Sequence, residues 1–266
     1  MTLRFLQNMK PLASLILVSG IAACASDPIG ANLHPVKLSV TSSVLSTPAS
    51  GAAIRSNLVV GTAGNFTITK VQVVVDKIEL NEGETTSCVG EIEATGDDHG
   101  AAGTECEDVS RDPVLVEIPV DGTLMAALNV PLAAGTYSKL EAKLEPARDN
   151  ATVFNTANTN LLGKSVRVEG TYGNPAVSFV FTSSVRAELE MSFNPPLVID
   201  AATTNATVSI DIAKWFLDSS NNVIDPNTAT AGTAALQQIE DNIRRSFHAF
   251  EDDHESGIDD HSGHHM

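Results

Sequence analysis

The chain has 266 residues, 42% of them hydrophobic, which is enough apolar material for one large domain, and it carries a formal net charge of −17. So acidic a surface repels phosphate backbones, which argues against nucleic acid as a partner and for a well-solvated protein that gathers cations. With one Trp and two Tyr, stacking platforms for sugar rings are scarce.

Arg4 and Lys10 precede an apolar run from Leu12 to Cys24 that is too short to cross a bilayer. A basic start, a short apolar stretch and small residues before a cysteine describe an export signal over 1–23. The end of the run, Ile21-Ala22-Ala23-Cys24, resembles the lipobox of bacterial lipoproteins. The resemblance implies that Cys24 is lipidated, becomes the first residue of the mature chain and makes the lipid bilayer a partner. Each buried methylene contributes about 0.8 kcal/mol, so two or more acyl chains hold firmly where one holds marginally. Ala25 and Ser26 follow, and by the same resemblance the absence of Asp there favours the outer membrane of the cell envelope.

Residues 24–35 mix Pro, Gly, Asn and Ser without a hydrophobic period, as a flexible tether does. The domain proper is expected over 36–216. Lys37-Leu38-Ser39-Val40 alternates, Asn57 to Val60 is a short apolar run, and Phe66 to Leu80 is the longest strand signal. Val71, Val73 and Val75 share one face, but Ile78 and Leu80 fall on the opposite parity. A bulge or bend near Asp76-Lys77 is therefore required.

Cys88 and Cys106 remain once Cys24 is lipidated, an even pair in an exported chain. The segment between them is rich in Gly and acidic residues and has no apolar period. A disulfide closing it is expected to stabilise the fold by roughly 3 kcal/mol. The alternative is two free thiols, or metal ligands together with His99.

Beyond this loop the alternation recurs in Val114 to Val120, Leu140 to Leu144, Val166 to Val168, Val185 to Phe193 and Val208 to Ile212. Half-buried strands separated by Gly, Pro and Asn turns predict an antiparallel β-sandwich, Ig-like or prealbumin-like, uninterrupted by helix. Trp215 and Phe216 end the last strand, with Trp215 read as core. A turn and one amphipathic C-terminal helix follow over 217–250, where Leu236, Ile239, Ile243, Phe247 and Phe250 recur at helical spacing.

Residues 251–266 form an acidic, His-rich tail. In an EF-hand-like reading Asp252, His254 and Ser256 take the first, third and fifth places, Gly257 the turn and Asp260 the ninth. Glu251, Asp252 and Asp253 would also crowd the negative end of the helix, which a cation relieves. Gly263 stands where a bidentate Glu should close a calcium shell, so calcium affinity is expected to be weak. His261, His264 and His265 let zinc, nickel or copper compete. The competing reading is a solvated acidic tail.

Two segments, Val71-Gln72-Val73 to Ile78-Glu79-Leu80 and Leu132-Ala133-Ala134-Gly135-Thr136-Tyr137 running into Leu140, resemble a family of exported bacterial lipoproteins with a β-sandwich domain of unassigned function. The resemblance implies a fold, with a Gly turn and Tyr137 opening a strand, and supplies no catalytic residues.

The residues themselves offer little for catalysis. His34 lies in the tether, His99 in the cysteine loop and the others in or after the last helix, and neither G-x-S-x-G nor a phosphate-binding Gly loop occurs. Glu141, Glu145, Glu188 and Glu190 could pair as in a glycosidase, but each falls on the polar parity of its strand and reads as solvated. The sequence thus predicts a membrane-anchored envelope lipoprotein, not an enzyme, with a structural, adhesive or binding role. A divalent-cation-binding lipoprotein that takes calcium or zinc on its tail, and a glycan-binding module, are the alternatives.

Overall fold

The computed structural model describes residues 33–43, 57–61, 65–81, 106–110, 113–200, 205–257 and 259, with the backbone alone described at 106–110 and 130. In chain order the strands are β1 (Leu33–Ser42), β2 (Leu58–Val59), β3 (Phe66–Asn81), β4 (Cys106–Ser110), β5 (Val114–Ile118), β6 (Met125–Ala133) and β7 (Gly135–Leu144). A short helix α1 (Thr152–Ala157) precedes β8 (Val166–Tyr172), β9 (Val177–Ser183), β10 (Ala187–Ile199) and β11 (Asn205–Ile210). Then come α2 (Ile212–Trp215), α3 (Ala234–Arg244) and β12 (Phe247–Glu251).

The fold is mainly β and built on two sheets. One is mixed, in the order β12-β11-β1-β6, with β1 parallel to β11 and antiparallel to β6. The other is antiparallel, in the order β10-β7-β3-β8-β9, with β2, β4 and β5 also paired to β3. Apolar side chains from both sheets meet in one core, because each strand turns one parity inward. Val36, Leu38 and Val40 come from β1, and Leu140, Ala142 and Leu144 from β7.

β3 is the strand that organises the larger sheet. Val71 and Val73 are flanked by β5 and β8, and Ile78 to Asn81 by β4 and β7. Its register against β7 breaks between Val75 and Lys77, at the position where the parity change demanded a bulge. The extra residue lets Val71, Val73, Val75, Ile78 and Leu80 all reach the core. At the other end Gly170 of β8 packs so closely that a Cβ there would lie 2.0 Å from the Thr67 carbonyl oxygen.

Aromatic packing fixes one corner of the core. The Phe66 ring lies 5.3 Å from Phe179 and 5.0 Å from Phe216, and Phe181 lies 5.3 Å from Phe216. Each such pair adds about 0.5–1.5 kcal/mol to what area burial provides. A second, smaller apolar cluster covers the outer face of β3, where Val74 meets Ala147 and Leu161. The segment between β7 and β8 is thereby held down as a flap.

Four local expectations change. β1 begins at Leu33, inside the stretch read as tether, because His34 and Pro35 pair with Leu132 and Pro131 of β6. α1 and α2 interrupt the run of strands. Trp215 sits in α2 rather than at a strand end; it is buried as core, with Nε1 donating to Ser246 Oγ at 2.7 Å. α3 stops at Arg244, so Phe247 and Phe250 lie in β12, where Phe250 is opposite Thr207 and Phe247 opposite Ile210. A spacing of four from Ile243 to Phe247 fits a helix, but the unpaired edge of β11 takes this segment as a strand, satisfying backbone groups that a helix would leave open.

Candidate functional site

The described surface contains a groove of about 450 Å³ beside β9, within the size range of ligand sites. β9 ends the order of its sheet and is paired to β8 through seven residues without a break. Its sequence explains its placement: Phe179 and Phe181 enter the aromatic corner, while Val180 between them is 58% exposed. One side of the groove is formed by Lys164 and residues 180–184. The other is formed by residues around Pro226–Ala231 and by Leu236 and Glu240 of α3.

Both sides are fastened. Asp225 accepts the Asn227 amide at 2.9 Å and starts the turn Pro226–Thr228. Thr233 caps α3 by accepting the Leu236 amide at 3.2 Å. Asn242 Nδ2 reaches the carbonyls of Lys214, Trp215 and Leu217 at 3.0, 3.1 and 2.8 Å, tying α3 to α2. Across the groove Ser183 Oγ donates to Glu240 Oε1 at 2.6 Å, and Arg244 Nη2 lies 4.0 Å from Glu240 Oε2. Lys164, like Lys143 and Arg245, stands apart from the paired basic residues. Most described basic side chains lie within 4.0 Å of a carboxylate, but among the described residues Lys164 has none.

The strand carboxylates do not share one environment. Glu79, Glu141 and Glu190 stand in one row across β3, β7 and β10. Glu188 and Glu190 are exposed as expected, but Glu141 is only 1% exposed. The polar face of β7 is therefore covered at that point, contrary to the solvated reading. Nearby, Asp76 at the β3 bulge lies 3.4 Å from Arg148 Nε, and Arg186 pairs with Glu145. Burial holds the Asp76 carboxyl above its ordinary range; the Arg148 guanidinium opposes the rise and the Glu145 carboxyl adds to it. This cluster pins the flap to β3 through Arg148.

The C-terminal segment folds back onto the smaller sheet as far as it is described. Asp252 is 0% exposed. Its Oδ1 accepts the Ser256 amide at 2.8 Å and the Ser256 hydroxyl at 3.2 Å, and its Oδ2 accepts the Gly257 amide at 2.8 Å and the Thr207 hydroxyl at 3.0 Å. Four donors thus occupy its four lone-pair positions. Glu255 and Gly257 take positive φ of 50° and 72°, and His254 is exposed. Asp260, His261 and His264 lie outside the described residues, and among those described no group of three or more His, Cys, Asp or Glu is placed to hold a metal ion.

Cys24 and Cys88 also lie outside the described residues, and Cys106 opens β4. Trp215 and Tyr137 are fully buried, and Tyr172 packs edge-on against Phe66 at 5.8 Å, so the first two present no face to a sugar ring. Lys164, Val180 and Glu240 form no sequence motif. The available signal was the run Val177–Ser183, a strand without a single charge. Compared with known protein families, curated proteins and solved structures, the chain matches none.

Proposed function

We propose that the protein is a lipid-anchored envelope lipoprotein, held on the outer membrane through Cys24, whose β domain serves a non-enzymatic binding role. The observation that carries the anchoring is the sequence itself: Arg4 and Lys10, a short apolar run, and Ile21-Ala22-Ala23-Cys24. The fastened groove beside β9 favours binding over a purely structural task. Within the two-sheet architecture we favour an Ig-like or prealbumin-like sandwich, and we infer that Cys88 and Cys106 are bonded. The test is palmitate labelling of the full chain in a two-membrane bacterium. Label and outer-membrane recovery are expected for the native chain and neither for Cys24→Ser; retention of label by Cys24→Ser would refute the anchor.

A second reading, a weak calcium or zinc site in 251–266, draws support from the turn at Asp252. Its positive-φ residues and amides converging on the first carboxylate have the form of a cation loop. Binding there requires Asp252 to exchange a protein donor for the metal. Calorimetric heat with either ion that vanishes on deletion of 251–266 supports this reading; no heat at millimolar ion removes it.

A further inference from the structure

We propose that the corner of the domain around Ala134, where the chain enters β1, rests against the lipid bilayer and sets the orientation of the domain on the membrane. The inference rests on the anchoring at Cys24 and names the surface that the anchored domain turns toward the lipid.

The corner is built by one strand passing from sheet to sheet. β6 ends at Ala133 in the smaller sheet and β7 begins at Gly135 in the larger one, with Ala134 alone between them. Two other strand ends meet it there. Leu33, the first residue of β1, lies opposite Ala133, while Val198 and Ile199, the last residues of β10, lie opposite Thr136 and Gly135. Leu132 and Tyr137, on the two sides of the bend, are buried in the core, which leaves the Leu33 and Val198 side chains on the outside. Leu33 is 56% exposed and Val198 48%, and Pro131, Ala134, Pro195 and Pro196 are exposed in the same region.

Charge separates this corner from the rest of the domain. The chain carries a net −17, yet residues 33–36, 125–138 and 191–199 include no Asp, Glu, Lys or Arg. The charges of the same strands lie toward their other ends, with Lys139, Glu141 and Lys143 in β7 and Glu188 and Glu190 in β10. Lys37 and Asp200 bound the corner. A leaflet that carries anionic lipid repels a carboxylate, and any bilayer interface strips water from one. So acidic a domain approaches a bilayer most favourably by a surface without carboxylates, and exposed aliphatic side chains on that surface gain by entering the interface.

The length of the anchor decides what covers the corner. From Cys24 to Leu33 the backbone spans at most about 30 Å. Tethering on so short a span keeps the lipid surface at the corner at a high effective concentration, which favours it over a dissolved partner. Other exposed apolar side chains lie farther off. β7 runs roughly 30 Å from Gly135 to Leu144, and beyond Leu144 begins the flap whose Val153 is 85% exposed.

The test places the photo-crosslinker p-benzoylphenylalanine singly at position 33, 134, 198 or 153 of the full, palmitate-labelled chain, reconstituted in vesicles of phosphatidylethanolamine and phosphatidylglycerol. After irradiation, mass spectrometry reads adducts of the chain with phospholipid. Adducts are expected at 33, 134 and 198 in about tenfold higher yield than at 153, because moving a half-exposed aliphatic side chain into the interface favours the docked state by about that factor. Leu33→Glu combined with Val198→Glu, both at exposed positions, is expected to remove the adduct at 134 while the palmitate label persists. Equal yields at all positions, or an adduct at 134 that the double variant leaves unchanged, would overturn the proposal. Chain-to-chain adducts at 198 in place of lipid would overturn it in favour of a second copy. Palmitate is scored on the same samples, so a labelled chain without lipid adducts at the corner refutes the docking alone, and an unlabelled chain refutes the anchor with it.

Discussion

Replacing Asp252 by Ala tests whether the C-terminal segment is part of the fold. The change removes the acceptor of four donors: the amides of Ser256 and Gly257 and the hydroxyls of Ser256 and Thr207. If the segment stayed in place, the buried Thr207 hydroxyl would lose its acceptor at a cost of about 1–3 kcal/mol, while the Ser256 and Gly257 donors, nearer the surface, would turn to water. If it lets go, the donors rehydrate and each freed residue regains about 1–2 kcal/mol of backbone entropy. Set against this is the loss of four hydrogen bonds to a carboxylate, each of about 1.5–3 kcal/mol. Either way a loss of about 2 kcal/mol is expected, and a Tm about 4–8 °C lower for a domain of this size. Hydrogen exchange followed by mass spectrometry is the direct assay. Amides at 255–257 should exchange at least tenfold faster in Asp252→Ala, while those of β8 and β3 stay protected. Unchanged exchange at Ser256 and Gly257, with Tm within about 1 °C of native, would refute the latch. Asp252→Asn, which keeps one acceptor oxygen, should fall between the two.

Gly170→Ala is expected to destabilise by about 3 kcal/mol in urea melts, since its methyl would meet the Thr67 carbonyl oxygen at 2.0 Å and backbone cannot rotate away; a change under about 0.5 kcal/mol would mean that β8 shifts freely on β3. Asp76 has a raised carboxyl, so the stability it contributes is fully present below the unfolded value of about 3.9 and is lost as pH rises through the folded value. Native protein should therefore gain stability relative to Asp76→Asn between pH 7 and pH 4, and a relative loss over that window would contradict the assignment. Asp218 is the opposite case. The Asn222 side chain, together with the Asn222 and Ser220 amides, holds its carboxyl below the usual range, so its contribution is present above the unfolded value and is lost as pH falls through the folded one. Asn222→Ala should move its NMR titration midpoint upward, and an unmoved midpoint would exclude that hydrogen bond.

Much of the framework was legible because alternation reports which parity is apolar. The bulge in β3 could be placed from Val75 and Ile78 alone, since no straight strand turns both inward. What alternation cannot report is whether the polar parity meets water. Glu141, Asp252 and Thr207 look like surface residues in sequence and are buried by tertiary neighbours. Phe247 and Phe250 misled for a related reason, because a five-residue strand following a helix shares the helical spacing by accident and only the edge of β11 decides between them. The parallel β1–β11 pair, with Lys37 opposite Asn205, leaves no local trace at all. The groove was missed because its sides come from segments far apart in sequence, and its one sequence signal, an uncharged β9, reads equally well as a buried strand.

That parallel pair has a consequence for the order of assembly and for load. β1 lies between β6 and β11, so it cannot complete its hydrogen bonding until residue 205 and beyond have emerged, and contacts of such sequence separation form late and slowly. A chain tethered to lipid ahead of Leu33 would wait in the envelope with its first strand half paired. Once closed, the same arrangement turns weakness into resistance. A pull from the N-terminal side would enter β1 along its axis and load the ladders to β6 and β11 together in shear, so that many bonds must fail at once rather than unzip one after another.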